Sequence, residues 1–449
     1  MDNPHPRRWR PVATVALTGA CAGVIVLAAA GAATPAVTPF EAAADTRIRS
    51  FVHAREFQGS VLIARHDSVV FERTYAFADR RVVPTPRYGI GSITKTFTAA
   101  AVERLEQRGA LRLDDRLSRF VPGFPKGDSI TIEQLLGHTA GIPDYYTDAE
   151  YPQERGQPMT PRTFADWLAT KPLDFPPGSQ SRYSSSGYAL LAYVIERASG
   201  EPYDTFVRRE LLDSLGLGDT GPLTRRPPVS GLAPGRDPGP LPDGTMAPVE
   251  FDWSWLVGSG SLYSTPRDLL RWTHAVLRDG FVDRRARTYP YGWALRERHH
   301  QHVIEQTGRI PAGYSAKISY LPGADLTVIV LANLQTEAIN RLADDLESLA
   351  LGEPPAPVPA RRSIRLVESQ VDSLAGRYEM FPGFVLEVRA QRGGAWLAGP
   401  DGDFMPLDAT GPDHFYFRLL DVPVAFARDS TSGSPRLIWN GQFRARRLP

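Results

Sequence analysis

Gly91-Ser92-Ile93-Thr94-Lys95-Thr96-Phe97-Thr98-Ala99-Ala100-Ala101-Val102-Glu103-Arg104-Leu105 is the stretch from which the rest of the chain is best read. Ile93, Phe97, Ala101 and Leu105 recur four apart, and Gly109 stands where a helix should stop. The spacing predicts an amphipathic helix over 92–108 with one buried stripe, opened by Ser92. Within it Ser92 and Lys95 are three residues apart, so their side chains share a face with Cβ atoms about 5–6 Å apart. The amine therefore reaches the hydroxyl. A serine hydroxyl is a poor nucleophile until a base takes its proton, and a lysine does so only where desolvation or a neighbouring cation lowers its pKa. Taken alone, Ser-x-x-Lys is more simply read as an N-cap serine beside a solvated lysine.

The flanking pattern supplies context. Upstream, Ser60-Val61-Leu62-Ile63-Ala64 and Val69-Val70-Phe71 read as a β-hairpin. Downstream, helices are predicted over 188–199, ended by Gly200, and over 203–215, ended by Gly216. Thr265-Pro266-Arg267-Asp268 combines an N-cap threonine, proline at the first helical position and an early acid, so a helix runs through Leu277. Ala316, Ile318 and Tyr320 then alternate, and Leu326 to Leu331 is a continuous apolar run suited to a central strand. Helices held between terminal strands imply an α+β fold. Residues 221–248, rich in proline and glycine and without period, read as a lid over a pocket. Pro354-Pro355-Ala356-Pro357-Val358-Pro359 is a stiff, extended spacer. A linker is placed at 353–362 and a small all-β barrel or sandwich at 363–449, with strands expected at 384–389, 414–419, 424–428 and 436–440.

The 449 residues exceed one ordinary domain, and 42% hydrophobic with 22% charged residues is a globular balance, not a disordered one. Lys+Arg 51 against Asp+Glu 50 leaves net +1, which disfavours a nucleic-acid partner. Cys21 is the single cysteine, so no disulfide and no cysteine-metal site is expected beyond it. Arg7, Arg8 and Arg10 precede a weakly apolar stretch from Val12 to Ala33, with Ala30-Gly31-Ala32 as a small-residue exit. Residues 1–40 are read as a signal peptide, with a retained membrane anchor over 12–33 as the alternative, and the protein is expected to be exported, periplasmic or secreted.

Two further motifs follow in order. Tyr183-Ser184-Ser185 lies just before a strong helix and offers a phenolic second base; Gln306-Thr307-Gly308 lies at the edge of the final strands. Three short motifs in this order are what a β-lactamase or penicillin-binding-protein site needs. Ile132-Glu133-Gln134-Leu135-Leu136-Gly137-His138-Thr139-Ala140-Gly141-Ile142-Pro143 resembles the Leu-Leu-x-His-Thr-Ser-Gly-Leu-Pro segment of class C β-lactamase-like serine hydrolases. Pro177-Gly178, Tyr183-Ser184-Ser185-Ser186-Gly187-Tyr188, Leu190-Leu191 and Tyr263-Ser264-Thr265-Pro266-Arg267-Asp268-Leu269 are similar to further family segments. The likeness spans about residues 45–350, within a hydrolase domain placed at 41–352. Leu374-Ala375-Gly376-Arg377-Tyr378 resembles the opening of the lipocalin-like β domain often attached to these hydrolases.

The resemblance implies a β-lactamase/transpeptidase-like antiparallel sheet flanked by helices, with Ser92 acylated and Lys95 and Tyr183 sharing its proton. It implies an oxyanion hole from the backbone N–H groups of Ser92 and Arg309, and substrate contacts from Ser185, Gln306, Thr307, Gly308 and Arg309. The chain departs from the family at Ser185, usually asparagine, and at Gln306, usually lysine or histidine. A neutral amide in place of a cation removes a partner for a substrate carboxylate unless Arg309 substitutes, which points away from penicillins and D-alanyl peptides and toward simpler esters and amides. The function expected is ester or amide hydrolysis through a Ser92 acyl-enzyme. The alternatives are a D,D-peptidase or D-amino-acid amidase acting on cell-wall fragments, and a non-catalytic binder of cell-wall or peptide ligands. No cofactor and no metal is expected. His299-His300-Gln301-His302 lacks a carboxylate at a recognised spacing and reads as an exposed loop. His138 is structural in the resembled family, and Gly258-Ser259-Gly260 reads as a tight turn beside the pocket.

Overall fold

Strands from opposite ends of the first 350 residues meet in one antiparallel sheet. The computed structural model describes residues 38–77, 85–148, 150–223, 228–240, 244–282, 291–357, 363–381, 383–400, 402–428 and 435–449; residues 1–37 of the predicted leader and the 358–362 part of the spacer lie outside them. β1 (Gly59–Arg65) and β2 (Ser68–Tyr75) form the expected hairpin. β3 (Ala294–Arg298), β4 (Gln301–Ile310), β5 (Tyr314–Leu321) and β6 (Leu326–Ala332) complete the order β2-β1-β6-β5-β4-β3. β6 is buried along its whole length, because helices cover both sides of the sheet.

The helices that frame the site are α1 (Pro39–His53), α2 (Thr94–Gln107), α3 (Ser185–Ser199), α4 (Pro266–Leu277) and α5 (Ala338–Leu351). On one face Ile48 and Phe51 of α1 and Leu342 and Leu346 of α5 pack on Val61, Val328 and Val330. On the other, Phe97 of α2 and Trp272 of α4, their rings stacked 3.9 Å apart, pack with Leu62, Ile329 and Leu331. Successive strand residues thus serve opposite layers, as a period of two requires.

Several expected boundaries move. Ser92 does not cap α2: it lies in a 3₁₀ turn, Gly91–Ile93, and the helix starts at Thr94 with no side-chain cap. The helix expected from 188 begins at Ser185, because the Ser184 hydroxyl accepts the Gly187 N–H at 3.2 Å. The helix expected over 203–215 is α-helical only at Tyr203–Val207, then widens into a π-turn at Arg208–Leu212, where buried Glu210 meets Arg108. Among the described residues of 221–248 none lines the Ser92 cavity, so the expected lid is not seen there. This stretch is pinned instead: the Tyr314 hydroxyl donates to Ala233 O at 2.6 Å and Arg236 N–H to Gly313 O at 3.2 Å. The expected exposed histidine loop is the turn between β3 and β4, where His299 is largely buried beside Glu353, 2.8 Å away. Among the described residues no His/Cys/Asp/Glu group could hold a metal, and no helix is long and apolar enough to cross a membrane.

The C-terminal strands close into an eight-stranded barrel: β7 (Gly376–Phe381), β8 (Phe384–Gln391), β9 (Gly394–Ala398), β10 (Met405–Ala409), β11 (His414–Phe417), β12 (Val422–Arg428), β13 (Pro435–Trp439) and β14 (Phe443–Arg447). β14 returns to β7, pairing Arg447 with Tyr378. Tyr378, Leu386, Leu397, Phe415, Phe426 and Leu437 fill a core separate from those of the sheet. The architecture is therefore α+β with a second, smaller all-β unit of lipocalin-like form. The barrel is held to the rest by a two-pronged Arg155–Asp403 pair (2.6 and 2.8 Å), by Arg341 between Glu56 and Asp421, and by the Glu337 N–H donating to Leu419 O at 3.0 Å.

Candidate active site

Two glycines set the site. Gly91 has φ 51°, and a Cβ there would lie 2.6 Å from Arg309 N; a Cβ on Gly308 would lie 1.8 Å from Ile90 O and 2.9 Å from Ser92 N. Without side chains at both, the Gly308–Arg309 backbone of β4 lies directly against the turn that carries Ser92. The 3₁₀ turn also frees the Ser92 hydroxyl from a capping role.

Lys95 Nζ is 2.9 Å from Ser92 Oγ, and the Tyr183 hydroxyl donates to the same oxygen at 2.7 Å. Lys95 is 1% exposed, so the solvated-lysine reading of Ser-x-x-Lys does not hold. Its Nζ also donates to Ser259 O at 2.9 Å and approaches Ser185 Oγ at 3.4 Å, and it lies 4.8 Å from the centre of the Tyr183 ring. The Gly258-Ser259-Gly260 turn thus lies beside the pocket and supplies a carbonyl to the lysine. Tyr183, at 48% exposure, reaches the serine from the extended residues before α3.

His138 orders that approach. It adopts φ 57°, its ring lies 4.7 Å from that of Tyr183, and its Nδ1 accepts the Ser184 N–H at 3.2 Å. Burial, with the nearby Lys95 charge, pushes its pKa down to about 3, so the imidazole is neutral and stays a backbone acceptor. Asp144 accepts the Ser185 N–H at 2.9 Å, and burial raises its carboxyl above the usual range. The sequence reading missed Asp144, although it directly follows the quoted Ile132–Pro143 segment; no spacing rule singles it out.

A hydroxyl with an amine and a phenol both in hydrogen-bond reach can lose its proton to one and return it through the other. The Beta-lactamase family model matches residues 44–351, more than half of the chain. The chain belongs to the β-lactamase family. It is 25% identical over 426 residues to penicillin-binding protein 4* of Bacillus subtilis (strain 168), a match that covers 85% of this chain and 92% of that protein. The octameric penicillin-binding protein homologue from Pyrococcus abyssi shares the fold, with a TM-score of 0.60, 22% identity, and 90% of this chain and 99% of that one covered. So does a D-amino acid amidase from Ochrobactrum anthropi SV3 solved with D-phenylalanine, with a TM-score of 0.60, 22% identity, and 69% and 99% covered.

Within this β-lactamase fold the remaining predicted contacts separate. A cavity of about 700 Å³ opens over Ser92 and is lined there by Tyr183, Ser185, Thr307 and Arg309. Gln306 is not among its walls: its amide donates to Gly292 O and accepts the Thr307 N–H at 2.9 Å. Alternation along β4 puts Thr307 and Arg309 on the cavity side and Gln306 and Gly308 on the other. The Arg309 guanidinium stands 3.4 Å from Glu337, and the Thr307 hydroxyl donates to Asn340 Oδ1 at 3.2 Å. Glu337 and Asn340, at the start of α5, also line the cavity; neither belongs to a motif, which is why sequence reading passed them over.

Proposed function

We propose that the protein is an exported serine hydrolase that cleaves an ester or amide through an acyl-enzyme on Ser92. The observation that carries this is the Ser92 hydroxyl held at 2.9 Å from Lys95 Nζ and 2.7 Å from the Tyr183 hydroxyl. In the proposed reaction Ser92 Oγ attacks the carbonyl carbon while Lys95, as the neutral amine, accepts its proton. The negative charge that develops on the carbonyl oxygen is met by the Ser92 and Arg309 N–H groups. Collapse breaks the bond to the alcohol or amine, which takes the Tyr183 proton while Lys95 passes the serine proton to the phenol. A water then attacks the acyl-serine ester as Lys95 takes one of its protons, and the ester bond breaks with that proton returned to Ser92 Oγ, releasing the acid. One oxyanion donor contributes about 2.7–4 kcal/mol to such a barrier and a positioned base about 10²–10⁴ in rate.

Arg309 already has Glu337 beside it, and Gln306 is engaged with backbone groups, so a substrate carboxylate has no uncommitted cation among these residues. That supports neutral esters and amides over penicillins. A second reading, a D-amino-acid amidase or D,D-peptidase, is supported by the relatedness to penicillin-binding protein 4* and by the fold shared with a D-amino acid amidase. The non-catalytic reading is weakened by the two short contacts to Ser92. The deciding experiment is intact-mass analysis after fluorophosphonate treatment, with one adduct expected on the wild type and none on Ser92→Ala. Absence of an adduct on the wild type overturns the hydrolase. Comparison of short aryl esters with D-Ala-D-Ala peptides and D-amino-acid amides separates the first two readings: cleavage of the peptides or amides alone reverses their order.

A further inference from the structure

The cavity over Ser92 does not end at the hydrolase residues. Its far wall is made by Met380, Phe384, Leu386, Leu397, Leu420 and Trp439, all from the barrel. Leu386 and Leu397 are 3% and 2% exposed and belong to the barrel's own core, so the space runs into the barrel mouth and is more than a crevice on its outside. The chamber is bipartite. Hydroxyl, guanidinium and amide groups of Ser92, Tyr183, Arg309 and Asn340 gather at one end, and the barrel side is mostly aliphatic and aromatic, with Asp403 as its one charged wall residue among the described residues. Its volume of about 700 Å³ lies inside the roughly 300–1,000 Å³ of small-molecule sites, and an eight-stranded barrel has just the width to hold one small ligand.

The two ends are fixed in register. Glu337 lines the polar end and Leu419 the apolar end, and they are joined by the 3.0 Å Glu337 N–H to Leu419 O bond. Asp403, also a wall residue, is gripped by Arg155 through two hydrogen bonds. At the rim Phe381 and Phe384 stack 4.7 Å apart; Phe384 packs against the barrel core, while Phe381, 54% exposed, stands outside it and forms an apolar entrance.

We infer that the barrel mouth is the substrate's apolar subsite, so that the preferred substrate is amphipathic: a carbonyl compound whose ester or amide bond sits at Ser92 and whose aliphatic arm extends into the barrel. This rests on the hydrolase reading above and names its substrate class. Burial of the arm should raise kcat/KM by about fourfold for each methylene until the mouth is filled.

The test uses the full chain with two ester series. In p-nitrophenyl acetate, butyrate, hexanoate and octanoate the arm is on the acyl side; in ethyl, butyl, hexyl and octyl acetate it is on the alcohol side. The expectation is a rise of at least tenfold in kcat/KM from the shortest to the longest member of one series, which also tells on which side the arm lies. Leu420→Asp, and separately Phe384→Ala, should compress that ratio to about threefold or less; both side chains are only half buried, so the barrel has room to absorb the change. Ser92-dependent turnover with no rise in either series overturns this proposal and leaves the hydrolase standing. A rise that both variants retain in full also overturns it. If no ester is turned over and Ser92 takes no fluorophosphonate, the hydrolase reading falls. Calorimetric titration with octanamide and acetamide then still decides the subsite: binding at least tenfold tighter for octanamide sustains it, and equal binding overturns it.

Discussion

His138 is buried, with the neutral ring nitrogen spent on the Ser184 N–H. Its pKa of about 3 in the folded protein lies below the ordinary 6.5 of the unfolded chain, so only the unfolded state takes up the proton between those values. The stabilisation is complete above pH 6.5 and is lost as the pH falls toward 3, at about 1.4 kcal/mol per pH unit. His138→Asn keeps a residue that tolerates φ 57° and an oxygen acceptor, so urea unfolding from pH 7 to 4 should show a shallower loss of stability than in the wild type. At this scale the sequence was most informative where chemistry and position were both local. Ser92 and Lys95 are linked by helix spacing, and Tyr183 by its place before a helix. Asp144, Glu337 and Asn340 were hidden because what brings them to Ser92 is folding across more than forty residues, with no periodic trace. The turning away of Gln306 was hidden too, since the phase of β4 depends on which face its neighbours bury.

The junction of β4 with the turn before α2 is the most constrained piece of backbone at the site. In Gly308→Ala the new methyl would meet Ile90 O and Ser92 N, main-chain atoms that cannot rotate aside. The strand must retreat, at a cost of about 1–3 kcal/mol read by thermal unfolding, and fluorophosphonate labelling of Ser92 should slow by about tenfold or more. The elements that sequence reading anticipated well are those with long apolar signals: β1, β6, α2 and α4. It placed Ser92 as a cap because serine before an amphipathic run ordinarily is one; the close approach of Gly308 produces a 3₁₀ turn there instead. In the barrel, β8, β11, β12 and β13 were anticipated, whereas β7, β9, β10 and β14 are short or interrupted by glycine, proline and arginine, and borrow their strand character from neighbours.

At the level of the whole molecule, the barrel and the sheet are joined by few, well-defined links. Arg341 stacks on Phe51 of α1 at 4.5 Å while bonding Glu56 and Asp421, so one side chain ties three regions. Arg341→Ala should cost about 2 kcal/mol and resolve the calorimetric unfolding of the wild type, expected as one transition, into two, the barrel melting first. None of this docking was legible, because partners some 80 to 285 positions apart leave no local pattern. The pairing of β1 with β6, Gly59 opposite Ala332, carries a further consequence. Such distant pairing makes for slow, late assembly. While the chain is being synthesised the hairpin waits with one open edge, and Ser92 lacks both Tyr183 and the strand bearing Gly308 until most of the polypeptide has been made. A nascent chain therefore carries a dormant serine, and its reactivity should arrive abruptly, with the last strand of the sheet.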